Sequence, residues 1–264
     1  MKKLFLLSTL VFSFGIYADD HLPENYSMYQ ANFLFNCPEA ERCFAAFDKY
    51  MNSPIVSKEK FEVDFLALQQ NGWDDSTHAV VWYYKDADQY AKAGEIFATS
   101  QEGRDFRKAM NDIEAEIISD TLTVHTVGVS LKGDTTSNRV SLRWSLEVTD
   151  AAKFLPLWTN FAKSLEGYDW AYNAYGLQSH YLGSNGNGIS HEIWGSFSSP
   201  QDALTFLSEL YASEEFAEYA PEADKYSIFK RSYMEVSLKQ YNPDLSLIHI
   251  SEPTRPLYIS YAVF

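Results

Sequence analysis

Between Val140 and Val148 the chain alternates. Ser141, Arg143, Ser145 and Glu147 fall on one side of an extended strand, and Leu142, Trp144 and Leu146 on the other. If the apolar side meets a core, the arginine opposite it needs an anion or water to offset its desolvation. The same parity groups Glu192 with Trp194 and Ser196, and groups His78 and Val80 with Trp82 and Tyr84. Asn32 holds the place of Arg143 in an earlier, similar strand that also carries Gln30 and Leu34. An enclosure of Asn32, His78, Trp82, Tyr84, Arg143, Glu192 and Trp194 suits a small apolar or aromatic ligand, flat enough to lie against the rings. Packing is the competing reading, since Trp82 and Trp194 equally serve as core fillers. The polar sheet face equally suits a wet protein-binding surface.

Other chemistries find less support. No Ser-His-Asp or Cys-His arrangement can be read, and Asp74-Asp75 and Glu214-Glu215 sit where acids favour turns and helix starts. His191 falls on the strand face opposite Trp194, so a symmetric metal site with His78 is not expected, and His125 and His180 lack metal-ligand spacing. Asn185-Gly186-Asn187-Gly188 reads as a hairpin tip and not a calcium loop. No Gly-rich phosphate loop occurs. The net charge of −15 opposes nucleic acid and anionic membrane surfaces, both of which are bound through Lys and Arg. The expected cofactor set is empty.

Cys37 and Cys43 stand in the run CPEAERC. Inside one helix they would lie about 9 Å apart along the axis, beyond disulfide reach. If the helix starts near Glu39, Cys37 precedes it and can fold back to Cys43. A structural staple in an oxidising compartment is the preferred reading, with free thiols or redox chemistry as alternatives.

Both ends stand apart from the fold. Lys2-Lys3, the apolar run Leu4 to Ile16 and small Ala18 read as a signal peptide over residues 1–18, exporting the chain to the periplasm with no membrane insertion after cleavage. Leu245 to Phe264 resembles a translated sequencing adapter, so a native chain ending at or beyond Asp244 is expected and His249 and Arg255 are given no role.

The elements that must position these side chains occur twice. Ser100-Gln101-Glu102-Gly103 aligns with Ser213-Glu214-Glu215-Phe216, Val81-Trp82 with Ile193-Trp194, and Phe33 with Trp144, the offset drifting by single residues. Asn71-Gly72 and Asn185-Gly186 each precede a Trp-bearing strand, as a tight turn requires. The first copy, 19–127, reads as strand Met28 to Phe35, helix Glu39 to Met51, strands Phe61 to Gln69 and His78 to Tyr84, a helical region Ala87 to Ile117 broken near Thr99, and strand Thr121 to Val127. The second, 139–244, repeats that order with strands Arg139 to Glu147, Tyr172 to Leu182, His191 to Phe197 and Tyr233 to Gln240, and helices from Asp150 and Pro200. Residues 128–138 form the linker.

Two βαββαβ units make an α+β protein of tandem ferredoxin-like sheets, each with helices on one face and the other face bare. Packing the bare faces together gives an intramolecular barrel, a monomer with a pseudo-dimeric core or a weak homo-oligomer. The element order, the Trp on the third strand and the Ser-x-x-Phe-like break in the second helix resemble the dimeric α/β-barrel superfamily, within it the antibiotic-biosynthesis-monooxygenase-like group. That resemblance implies cofactor-independent oxidation of a flat aromatic substrate, with Asn32 polarising a carbonyl or enolate and Trp82 or Trp194 shaping the pocket. Chlorite dismutases and dye-decolourising peroxidases are a second comparison and imply haem, with His78 as its axial candidate. Because no catalytic set stands out, an exported small-molecule-binding or accessory protein is the leading expectation.

Overall fold

The computed structural model describes residues 29–131, 138–183 and 187–243. The leader-like segment, residues 132–137 of the linker, the Asn185-Gly186 turn and the adapter-like tail lie outside the described residues.

The first copy contains β1 (Tyr29–Asn36), α1 (Ala40–Met51), the short α2 (Pro54–Ser57), β2 (Glu62–Gln69), β3 (His78–Tyr84), α3 (Ala87–Thr99), α4 (Gln101–Asp112) and β4 (Glu116–Leu131). The second contains β5 (Val140–Val148), α5 (Ala151–Ser164), β6 (Ala174–Leu182), β7 (His191–Phe197), α6 (Pro200–Ala212), α7 (Glu214–Ala223) and β8 (Ser227–Tyr241). The helical region expected to reach Ile117 stops at Asp112, because Glu114 takes a left-handed φ of 58° and turns the chain into β4. β8 starts earlier than its expected Tyr233, extended by a ladder with β5 that runs to Val148 opposite Ser227.

Matching caps mark the duplication. Ser100 accepts from the Gly103 amide at 2.9 Å and Ser213 from the Phe216 amide at 3.2 Å, each opening the second helix of its pair. One level up, Asp86 accepts from the Gln89 amide and Ser199 from the Asp202 amide. These side-chain oxygens satisfy otherwise orphaned helix donors, which is why the breaks recur at these residue types.

The eight strands close into one barrel in the order β1-β3-β2-β8-β5-β7-β6-β4. Each copy contributes four consecutive strands, and the copies join through antiparallel ladders, β2 with β8 and β4 with β6. Closure removes every free sheet edge. The helices cover the outside over two aromatic cores. One joins Phe35, Phe65 and Trp82 to Phe47 and Tyr50 of α1. The other joins Leu142, Leu146 and Leu177 to Phe154 and Trp158 of α5 and Phe206 of α6. The helix-free faces meet inside.

Candidate functional site

Strand registers decide what enters the barrel, since residues directly opposite in a ladder share a face. Arg143 lies opposite Trp194 on β7 and Tyr233 on β8, and Ser145 lies opposite Glu192 and Arg231, so these six side chains point inward with Glu235. Asn32 and Gln30 also point inward, opposite Val81 and Tyr83. Of the residues expected to share the enclosure, the barrel therefore gathers Asn32, Arg143, Glu192 and Trp194.

His78, Trp82 and Tyr84 stand on the opposite face, a correction to the expected enclosure. Trp82 pairs with Ala31 and Val63, not with the Asn32 face, and packs against Phe47, Phe61 and Tyr84 under the helices. The cause is a one-residue slip between the copies. Asn32 lies opposite Val81 where Arg143 lies opposite Trp194, so Val81, not Trp82, is the counterpart of Trp194. A shift of one residue along a strand carries every side chain to the other face. His78 stacks on Phe35 with ring centroids 5.8 Å apart, and its Nδ1 lies 2.8 Å from the Thr77 hydroxyl. Enclosed in that core, it does not fit as an axial ligand to haem.

The interior is polarised. On the first copy's side, Leu34, Leu66, Ala79 and Val81 form a small apolar cluster. On the second copy's side lies a charged network. Arg143 donates through Nε to Glu235 at 2.9 Å, the two side chains being 6% and 3% exposed. Glu192 accepts from the Ser145 hydroxyl at 3.0 Å, Gln178 Nε2 at 3.1 Å and the Tyr233 hydroxyl at 3.3 Å. Burial pushes the Glu192 carboxyl up, but His180, Arg143 and the bond from Ser145 outweigh it and hold it below its usual range. Glu235 is raised, chiefly by burial.

This network opens at one mouth of the barrel, in a pocket lined by Asn32, Ser119, Thr121, His180, Glu192, Arg231 and Tyr233 among others. His180 is the unusual member. Its side chain is 5% exposed, its Nε2 lies 4.0 Å from Glu192 Oε2, and neither ring nitrogen has a hydrogen-bond partner. Burial, the largest influence, drives its pKa below the ordinary histidine value; Glu192 opposes this and Arg231 adds to it. The ring is therefore neutral near neutral pH, one nitrogen able to take a proton and the other to give one. Across the pocket, Gln30 Nε2 donates to Asn32 Oδ1 at 2.7 Å, which leaves Asn32 Nδ2 with only long contacts of 3.5 and 3.4 Å to Thr121 and Thr123. The cavity itself is about 10 Å³, room for about one water. The interior is thus filled by its own side chains, and a flat ring has space only at the rim unless the mouth opens.

His180, Arg231 and Tyr233 were not among the sequence candidates. The alternation Arg231, Tyr233, Glu235 mirrors that of Ser141, Arg143 and Ser145 and was the available signal. Cys37 and Cys43 are bonded to each other, with Cys37 ahead of α1 and Cys43 inside it. Among the described residues no group of three or more His, Cys, Asp or Glu could hold a metal ion, and no helix is long and apolar enough to cross a membrane.

No protein-family model and no curated protein matches the chain. Solved structures do. A candidate monooxygenase from Fusobacterium nucleatum subsp. nucleatum ATCC 25586 superposes with a TM-score of 0.58 at 15% identity, covering 83% of this chain and 96% of that one. An anthrone oxidase-like protein gives 0.55 at 11% identity over 84% and 96% of the two chains. A variant chlorite dismutase from Candidatus Nitrospira defluvii gives 0.50 at 10% over 81% and 92%. Together with the closed strand order, these likenesses establish the chain as an α+β protein with the dimeric α/β-barrel fold, both halves of the pseudo-dimer carried on one polypeptide.

Proposed function

We propose that the protein binds a small molecule at the barrel mouth and moves a proton on it through His180. The observation that carries this reading is a buried imidazole with both nitrogens unpartnered, set at a pocket beside an ionised carboxylate. Buried polar atoms are nearly always satisfied, and an exception at a pocket calls for a partner from outside the chain, whether water, ion or ligand. His180 takes a proton from an acidic C–H or O–H of the ligand, Glu192 stabilises the imidazolium, and Asn32 Nδ2 donates to the oxyanion that forms. The interior of the barrel sets this geometry and excludes bulk water.

The chain is exported and periplasmic in this reading, a monomer with a pseudo-dimeric core or a weak homo-oligomer. Lys2-Lys3 with the following apolar run supports export, and the Cys37–Cys43 bond supports an oxidising destination.

A second reading is oxygenation without a cofactor, favoured by the fold shared with candidate monooxygenases. There the anion produced by His180 is the species that meets dioxygen, and oxygen uptake with anthrone, lost in His180→Gln, is the test.

For the first reading the test is a fragment screen by NMR on histidine-labelled protein. His180 ring signals move with hits and those of His78, sealed under the helices, do not. Hits that move His78 and leave His180 unchanged contradict the assignment.

A further inference from the structure

Arg231 is the cation of the mouth. It arises from β8 of the second copy, its side chain is 10% exposed, and its guanidinium lies over the Tyr233 ring, 4.7 Å from the centroid. Nη1 bonds Asp74, which comes from the β2–β3 loop of the first copy. Asp74 is itself fixed, accepting from the Ser76 amide at 2.9 Å and from the Ser76 hydroxyl, with Asn71 Nδ2 at 3.4 Å. Ring and carboxylate thus hold the guanidinium in one orientation. Its Nε is buried and has no partner. A guanidinium presents donors on two edges. Asp74 occupies Nη1, which leaves the Nε edge without a partner on a residue that lines the pocket together with Asn32 and His180 among others.

We propose that the molecule taken at this mouth carries a carboxylate, which lies against the Nε edge of Arg231 once the mouth, which as it stands has room for about one water, opens to admit it. The inference deepens the proton-transfer reading of the same pocket and rests on it. A carboxylate matches the fork geometry and supplies the acceptor that Nε lacks, with Asp74 keeping its own bond. The negative charge so introduced lies near Glu192 and Asp74, with Arg143 and Glu235 behind them. His180, which also faces Tyr233, Asn32 and Thr121, can offset it by gaining a proton as pH falls, and His191 lies opposite its chain neighbour Ser179. A bound carboxylate therefore raises the proton affinity of His180, so affinity rises as pH falls toward the histidine transition, while above that transition the ring stays neutral and able to act as the base.

The test uses formate and acetate as probes, with formamide and acetamide as neutral counterparts, titrated into the full chain and followed through the His180 ring signals. The acids are expected to bind at least about tenfold more tightly than the amides, and more tightly near pH 5.5 than near pH 7.5. Arg231→Gln removes the preference, and Arg231→Lys, which keeps the charge for Asp74 but not the fork, retains only part of it. Equal binding of acids and amides, formate bound by Arg231→Gln as by the parent, or chloride bound as tightly as formate overturns the carboxylate assignment. Amides that move His180 without any preference for the acids leave the site standing and remove only this inference. If neither class moves His180, the site reading itself fails.

Discussion

His180 Nε2 and Glu192 Oε2 face each other at 4.0 Å, on adjacent strands, without a bond between them. The gap is too long for a hydrogen bond and short enough for strong attraction once the ring is protonated. The pair is thus held open by the Ser145, Gln178 and Tyr233 bonds that tie the carboxylate elsewhere. His180→Gln should leave the fold intact, since the ring makes no hydrogen bond, and should abolish proton transfer to any ligand that still binds. Thermal unfolding beside ligand titration checks both halves.

Trp82 and Trp194 should respond differently to truncation. Trp82 fills the helix-side core against Phe47 and Phe61. Trp82→Ala is expected to cost about 3 to 5 kcal/mol, read as a lower denaturant midpoint, with the ligand affinity of the surviving folded protein unchanged. Trp194→Ala opens the barrel interior itself and should alter affinity at the mouth. An unchanged affinity in Trp194→Ala and a changed one in Trp82→Ala would reverse the assignment of faces.

The end of β2 predicts an unusual pH dependence. Glu62 is pushed to about 9 by burial and nearby Asp64, and one of its oxygens is buried without a partner. Asp64 is pushed to about 7 by burial and Glu235, against the pull of Gln240, Tyr83 and Arg143. A carboxyl whose pKa rises on folding stabilises the native state fully below its unfolded value and loses that contribution as pH climbs through the native one. For Glu62 the window runs from its ordinary 4.5 to about 9. The contribution of Glu62 should therefore fall across this range, so Glu62→Gln should raise Tm by several degrees near pH 8 and by little near pH 4.5. A Tm difference between Glu62→Gln and the parent that does not grow with pH contradicts this.

The Cys37–Cys43 bond closes a short loop at the start of α1. Loop-closure entropy for so short a span is about 2 kcal/mol. Cys37→Ser with Cys43→Ser should lower Tm by a few degrees, equal to the effect of a reductant on the parent, with ligand binding at the mouth unaffected.

Arg143 and Glu235 form the buried ion pair beneath the mouth. Arg143→Met alone strands two carboxylates in the barrel and should destabilise by about 3 to 5 kcal/mol, whereas Arg143→Met combined with Glu235→Leu should recover much of that loss. A double-mutant cycle in denaturant unfolding measures the difference.

Much of this architecture was legible in the sequence because it is written in short-range chemistry. Ser100 and Ser213 cap because a hydroxyl suits a helix start, and Leu142, Trp144 and Leu146 alternate because one sheet face must be apolar. That parity puts Arg143, Glu192 and Trp194 on the inner face, and the alignment of the two copies puts Asn32 there with Arg143. Trp82 was not, because its likeness to Trp194 outweighed the register, and only the ladder with Ala31 shows that the two tryptophans are out of phase. Arg231 and His180 were hidden for another reason. Their role depends on which strands of the two copies become neighbours, and on Asp74 reaching from one copy to the other, which no local pattern encodes.

The most direct measurement is a pH titration of the His180 ring by NMR in the full chain. The expected midpoint lies below the ordinary histidine value of 6.5, with a neutral ring near neutral pH, and rises when formate is added. A ring that titrates at or above 6.5 in the free protein and ignores formate would contradict it.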